Sequence, residues 1–333
     1  MEPRQTASPL LIVRDLQVQF NTNIGKLRAV DGVSFDVYSG QTLGLVGESG
    51  CGKSVTALSI LRLLPQPPAE YVGGVILFQG SDLLGASARK LRAIRGNQIS
   101  MVFQDPLDSL NPILTIGDQI VEAGQQHKRV SKKEAREAAI EMLKQVGIPD
   151  PANRFSSYPH QLSGGMIQRV MIAMSLMCRP RVLIADEPTT AVDVTIQAQI
   201  LELLSSLQKQ FGMAILLITH DLAVVAETCD RVAVMYAGKI VESAWVNDLF
   251  ARPFHPYTLG LFRSLPSAST GMGPLPVIPG SLPNPLQIPP GCRFRDRCFM
   301  AKDLCATEPL LREIGPNHLS ACHFAEEVGV TTL

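Results

Sequence analysis

The octapeptide Gly47-Glu48-Ser49-Gly50-Cys51-Gly52-Lys53-Ser54 constrains this chain more than any other stretch of it. It fits the pattern G-x-x-x-x-G-K-[ST], and the flanking residues fit the same reading. Thr42-Leu43-Gly44-Leu45-Val46 reads as a short buried strand. Val55 to Leu64 reads as a helix with Leu58, Leu61 and Leu64 on one face. A glycine-rich turn between strand and helix aims successive backbone N–H groups at one point, where the helix dipole also favours negative charge. Lys53 is then placed to reach β- and γ-phosphates, and Ser54 to offer a hydroxyl to Mg²⁺. A chance glycine-rich turn would not require strand, loop and helix to agree. The motif implies a nucleoside-triphosphate site.

At 333 residues, one large domain with a smaller companion is expected. Thirty basic and thirty acidic residues cancel, whereas a nucleic-acid surface would show a basic surplus, so no nucleic-acid partner is expected. No apolar run approaches the roughly 18 residues a membrane span needs; the best, such as Met213 to Thr219, are strand-length. Met1-Glu2-Pro3-Arg4 has no apolar core of a signal peptide. The expected location is the cytosol, or a membrane surface reached only through partners. Of seven cysteines, Cys178 and Cys229 read as core packing. Cys51, at a helix N-terminus beside Lys53, is expected to be a reactive thiolate. Cys292, Cys298, Cys305 and Cys322 crowd into the final segment. A cytosolic setting disfavours disulfides there and makes a metal site the sharper reading.

Residues 10 to 40 look β-rich, with short runs at Leu11-Ile12-Val13, at Leu16 to Phe20 and at Val33 to Val37. A proline-rich loop at Pro65, Pro67 and Pro68 follows the phosphate-loop unit, then strands at Gly74 to Phe78 and Ile99 to Phe103. From about 115 to 178 the pattern turns helical, with Ser131-Lys132-Lys133-Glu134 resembling a capping box ahead of Ala139, Met142, Leu143 and Val146. Strands and helices alternate again to about 250. Past Pro253 the texture changes, and proline and glycine are dense from Pro266 to Gly291. No internal repeat is evident.

Two further constellations carry chemistry. Val182-Leu183-Ile184-Ala185-Asp186-Glu187 is an apolar strand ending in two carboxylates. Beside a phosphate loop, the first acid can hold Mg²⁺ and the second can polarise an attacking water. Alone, the same run is more often a strand entering a loop. Leu162-Ser163-Gly164-Gly165-Met166 opens a helix reaching about Cys178, and its serine and glycines again offer N–H groups at a helix N-terminus. Taken singly, Ser163 would be a plain N-cap. One nucleotide needs only one such loop, so a second points to two chains arranged head to tail.

Gly47–Ser54, Gln104, Leu162–Gly165, Asp186-Glu187, Asp193 and His220 occur in the order and spacing of an ABC-transporter ATPase, over roughly residues 10 to 250. Gln104-Asp105-Pro106, Ser109-Leu110-Asn111-Pro112, Tyr158-Pro159-His160-Gln161 and Met235-Tyr236-Ala237-Gly238 resemble the ATPase subunits of oligopeptide and dipeptide importers. His255-Pro256-Tyr257 and the four-cysteine tail are similar to that family's C-terminal extension. The resemblance implies a P-loop α/β fold with a β-subdomain and a helical subdomain at about 108–178. An ATP-binding domain over 1–252 and a small, loop-rich, metal-stapled extension over 253–333 would complete it.

Roles follow from the resemblance. Gln104 would contact Mg²⁺ and the attacking water, Asp186 would help hold Mg²⁺, and Glu187 would be the general base. His220 would contact the γ-phosphate and Asp193 would sit at a dimer seam. Phe20 would stack on adenine, although it reads equally as a core strand residue. The implied activity is ATP hydrolysis driving peptide import at the cytoplasmic face of the inner membrane. Its partners would be two transmembrane permease subunits, a second ATPase subunit (related or identical) and an extracytoplasmic substrate-binding protein. Related importers of nickel, glutathione or glycopeptides, a non-transport ABC ATPase, and a scaffold with a vestigial site are the alternatives. Met166 stands where many transporter ATPases have Gln, Ile167 where relatives carry a basic residue, and Cys51 where Ser or Gly is usual.

The four tail cysteines are separated by five, six and sixteen residues and lack the tight pairs of zinc ribbons. That favours a [4Fe–4S] cluster, which relatives are thought to carry, over Zn²⁺ or four reduced thiols. The tail has too few apolar residues for a core of its own, so a staple is expected.

Overall fold

The computed structural model describes residues 8–105, 109–127, 130–190, 193–265 and 277–330. The readings placed on Met1 to Arg4, on Pro106 and on the start of the proline-rich stretch at Pro266 fall outside those residues. In chain order the strands are β1 Leu11–Thr22, β2 Gly25–Val37, β3 Thr42–Val46, β4 Ala69–Phe78, β5 Ser81–Asp82 and β6 Ile99–Val102. They continue with β7 Val182–Asp186, β8 Ala214–Thr219, β9 Arg231–Tyr236, β10 Lys239–Trp245, β11 Arg312–Gly315 and β12 His318–Ser320. The chain forms two compact units, one from Met1–Leu84 with Thr219–Leu333, the other from Gly85–Ile218.

In the first unit, β2-β1-β4-β5 form an antiparallel sheet. Two of the three short runs expected at the N-terminus are one strand: β1 carries Leu11, Val13, Leu16 and Val18, all fully buried. Its register slips between Val13 and Leu16, where Asp15 has a φ of 48°. The slip keeps both runs on the apolar face, and this is why they read as separate in sequence. β3 pairs in parallel with β9, which turns through Ala237-Gly238, both at positive φ, into antiparallel β10. Left-handed residues at both turn positions match the right-handed twist of the strands they join.

The C-terminal segment does not stand apart from this unit. β12 pairs with β10 and β11 with β12, so two short strands continue the sheet. Tyr257, Phe262 and Phe294 enter the same buried cluster as Val234 and Tyr236. The tail is indeed poor in apolar residues, and it compensates by sharing a core rather than building one.

In the second unit, β6, β7 and β8 run parallel, with Ile99 opposite Val182 and Asp186 opposite Ile218. β6 and β7 are buried along their whole length, as continuous apolar runs in a parallel sheet should be. Helices Ile116–Gln125, Lys132–Gln145, Pro151–Arg154, Gly164–Leu176 and Val194–Phe211 accompany them. The capping box forms as expected: the Glu134 N–H donates to Ser131 Oγ at 3.2 Å, and the Ser131 N–H to Glu134 Oε2 at 2.8 Å. Behind it Ala139, Met142, Leu143 and Val146 are buried. Among the described residues no helix is long and apolar enough to cross a membrane.

Candidate nucleotide and catalytic site

β3 delivers the chain to the phosphate loop, and the helix Lys53–Ile60 leaves it. Two of its glycines are sterically required. A Cβ on Gly47 (φ 154°) would lie 2.1 Å from the Met235 carbonyl oxygen, and one on Gly52 (φ 110°) 2.5 Å from that of Ala29. Ser49 and Gly50 are exposed, Glu48 and Ser54 half-buried. Lys53 is only 5% exposed, and its Nζ donates to the carbonyls of Gly47 at 2.7 Å and Glu48 at 3.1 Å. The cation thus folds back into its own loop. Phe20 is half-buried near the end of β1, opposite Leu27 and Ala69. His220 follows β8 and is exposed, and the next residue, Asp221, caps the helix Leu222–Thr228 by accepting from the Ala223 N–H at 2.8 Å.

The second unit brings together the residues suited to activating water. Asp186 ends β7 and is 4% exposed. Glu187 follows at φ 46°, a left-handed conformation uncommon outside glycine. Such backbone costs on the order of 1–3 kcal/mol and persists where neighbours over-determine it. Here the Glu187 N–H donates to the Ile218 carbonyl at 2.9 Å. Its Oε2 accepts from Gln104 Nε2 at 3.2 Å and from Thr190 Oγ1 at 3.1 Å. Gln104 and Thr190 thus hold one oxygen of the Glu187 side chain in place. Thr190 was not among the residues singled out in the sequence; its one signal is its place three residues after Glu187.

The other glycine-containing helix start lies in the same unit. Ser163 is the N-cap of Gly164–Leu176, yet its side chain makes no capping hydrogen bond. Ser163 and Gly164 are exposed, and a Cβ on Gly164 would meet nothing within 4 Å. The plain capping role is therefore not what Ser163 does. Gly165 lets the helix approach Ile196, to whose Cγ2 an added Cβ would come within 2.9 Å. Asp193 caps the helix bearing Ile196, accepting from the Ile196 N–H at 2.9 Å. Ile167 is 3% exposed, so at this position an apolar side chain enters the core.

Residues 30–190 match the ABC transporter family, and residues 241–305 match the oligopeptide/dipeptide transporter C-terminal region. A probable peptide ABC transporter ATP-binding protein of Sinorhizobium fredii is 56% identical over 98% of each chain. The oligopeptide transport ATP-binding protein OppD of Escherichia coli is 47% identical over 96% of this chain and 94% of its own. The chain belongs to the ABC-transporter ATPases. Within them it falls among the ATP-binding subunits of the oligopeptide/dipeptide type. A dimeric ATP-binding cassette solved in a post-hydrolysis state with ADP and Pi is 26% identical, with a TM-score of 0.64 over 71% of this chain and 98% of that one. This protein is accordingly a P-loop α/β enzyme that binds and hydrolyses ATP.

Cys51 departs from its expected reactivity in this ATPase. It is 1% exposed, and a Cβ on Gly47 would lie 2.9 Å from its sulfur. Burial pushes the thiol up and outweighs the opposing pull of Lys53. A reactive thiolate at a helix N-terminus needs an accessible sulfur, and the turn folds this one inward instead. Alkylation of the native protein by iodoacetamide should therefore modify Cys51 at least about tenfold more slowly than an exposed thiol, as expected of a buried cysteine. Rapid labelling suppressed by MgATP would restore the reactive reading.

The tail thiols give a divided result. Cys292, Cys298, Cys305 and Cys322 line one small cavity of about 10 Å³, walled also by Phe294 and Phe324. Burial pushes the Cys292 thiol up, Cys298 to about 11 and Cys322 to about 12. Among the described residues, however, no three His, Cys, Asp or Glu side chains are grouped as a metal ion requires. The convergence of the four thiols does not by itself show the expected metal staple. The extension's attachment is the shared core and hydrogen bonding, centred on the fully buried Glu242. That carboxylate accepts from the N–H groups of Phe254 at 2.5 Å and His255 at 3.1 Å, and bonds His318 Nε2 at 2.7 Å.

Proposed function

We propose that this ATPase powers import of di- or oligopeptides at the cytoplasmic face of the inner membrane. The observation that carries the reading is the match of residues 241–305 to the oligopeptide/dipeptide transporter region, alongside a core carrying Glu187. Its partners are two transmembrane permeases, a second ATPase subunit and an extracytoplasmic substrate-binding protein.

Each chain's residues take distinct roles toward ATP. Gly47, Glu48, Ser49, Gly50, Cys51 and Gly52 supply the backbone cradle, and Phe20 the adenine platform. Lys53 leaves the carbonyls of its own loop for the phosphates. Ser54, Gln104 and Asp186 are oxygen donors of the hard type that Mg²⁺ takes; the ion, when bound, neutralises charge on the phosphates. Glu187 accepts the proton of the attacking water while Gln104 and Thr190 hold its carboxylate. His220 contacts the γ-phosphate. Ser163, Gly164 and Gly165 of one subunit, with Asp193 at the seam, address the nucleotide held by the other. Contacts from both chains to the γ-phosphate give the closed dimer its differential stability, which hydrolysis removes.

Purification from native membranes should recover two hydrophobic permeases with the ATPase. Uptake by vesicles carrying that assembly should be stimulated by dipeptides or short oligopeptides. Recovery of the ATPase alone would overturn the transporter reading; uptake of nickel, glutathione or a glycopeptide in place of peptides would overturn the substrate.

A metal centre on the four tail cysteines is proposed as a second part of this reading. Convergence of four thiols on one cavity supports it, since Cys₄ is the ligand set of both [4Fe–4S] clusters and structural zinc. Binding would require the sulfurs to close around the metal and to lose their protons. Anaerobically purified protein should be brown, absorb broadly near roughly 400 nm and contain several irons per chain. One zinc and no colour would replace the cluster by zinc; four freely titrating thiols would exclude both.

A further inference from the structure

We infer that Arg297, in the C-terminal extension, is a positioning residue for ATP that neutralises the carboxylate inside the phosphate loop. Glu48 is the second residue of that loop, and every polar group it carries has a partner. Its N–H donates to Tyr257 Oη at 2.9 Å. Its carbonyl accepts from Lys53 Nζ at 3.1 Å. Its Oε2 accepts from Arg297 Nη1 at 2.9 Å. Its carbonyl also accepts from the Cys51 N–H at 3.3 Å, so two of the four partners, Tyr257 and Arg297, come from the region beyond residue 253 rather than from the loop or its helix.

Arg297 is itself held from three directions. Its Nε donates to the Pro279 carbonyl at 2.8 Å, its Nη1 reaches Tyr236 Oη at 3.4 Å, and its guanidinium lies 5.7 Å from the Tyr236 ring centroid. The side chain is 8% exposed, against 28% for Glu48. This is a fixed, mostly buried ion pair, not two mobile surface chains meeting by chance. A long side chain locked in this way loses little further entropy when its partner binds.

A phosphate loop works by concentrating N–H dipoles and one lysine on an anion. A bare carboxylate within it would repel the same anion, and would compete for Lys53. Arg297 removes that conflict, and Tyr257 keeps the Glu48 peptide from rotating. The extension thereby acts on nucleotide affinity through the phosphate loop itself. Glu187 and Gln104 lie in the other unit, so the chemical step should be little affected.

Steady-state ATP hydrolysis by the assembled transporter tests this through the separation of KM from kcat. Arg297→Ala should raise KM for ATP on the order of tenfold, as an unmasked like charge near the phosphates would. Its kcat should stay within about twofold. Adding Glu48→Gln to Arg297→Ala should bring KM back to within about threefold of the parent, because the repelling charge is gone. Arg297→Lys, which keeps the charge if Arg297→Ala misfolds, should hold KM within about threefold. Raising the salt concentration should narrow the gap between Arg297→Ala and the parent. An unchanged KM in Arg297→Ala would overturn the inference. So would a raised KM that Glu48→Gln fails to restore, since Arg297 would then act only by holding the extension in place.

Discussion

Glu187→Gln is expected to retain MgATP binding and to lose hydrolysis by about 10²–10⁴-fold, the usual cost of removing a general base. The substitution keeps the shape of the side chain, and its amide oxygen can still accept from Thr190, now 3.1 Å from Oε2. What disappears is the capacity to take a proton from water. The backbone at φ 46° should tolerate the change, because the Glu187 N–H bond to Ile218 and the loop itself do not depend on side-chain charge. With hydrolysis blocked and binding intact, an ATP-dependent dimer should accumulate and elute early in size-exclusion chromatography. Hydrolysis at the parental rate would assign the base elsewhere.

The largest effect on stability is expected from Glu242→Ala. The carboxylate is fully buried, and its loss strands the N–H groups of Phe254 and His255 together with the His318 ring, itself 4% exposed. Each buried polar group left without its partner costs about 1–3 kcal/mol, because it keeps its desolvation penalty, and three are stranded at once. The thermal midpoint of the full chain should fall by on the order of 10 °C. Early proteolysis should fall within the C-terminal segment, because Glu242 ties β10 both to the chain at 254–255 and to β12. A loss below about 1 kcal/mol, the range of an ordinary hydrogen bond, would show that the shared apolar core alone retains the extension.

His255 illustrates how far this packing departs from ordinary side-chain behaviour. It caps the helix Pro256–Arg263, its Nδ1 accepting from the Tyr257 N–H at 3.1 Å, and is 2% exposed. Burial lowers its pKa to about 3. A depressed folded-state value means that the neutral ring stabilises the fold fully above the unfolded value of about 6.5. That contribution is lost as pH falls from there toward 3.

Several elements were decided by local sequence. The phosphate loop was legible because Gly47 and Gly52 are imposed by backbone contacts that no side chain survives. β3 and β7 were legible as unbroken apolar runs, and the Ser131 capping box as a bond pattern within four residues. Each depends on chemistry between near neighbours. The long β1 was not, because the shift at Asp15 splits one strand into two apparent runs.

What only the tertiary structure decided involves partners far apart in the chain. The sulfur of Cys51 faces inward, against the expectation drawn from its position beside Lys53. The extension is tied to β10 by Glu242 and to the first unit by a shared core, neither of which any local pattern announces. Arg297 reaches Glu48 across 249 residues of sequence, and no local pattern marks either as the other's partner. Propensity and periodicity report what a residue does to its own turn or strand. Burial, and the pairing of charges that burial makes obligatory, are set by which surfaces the folded chain brings together.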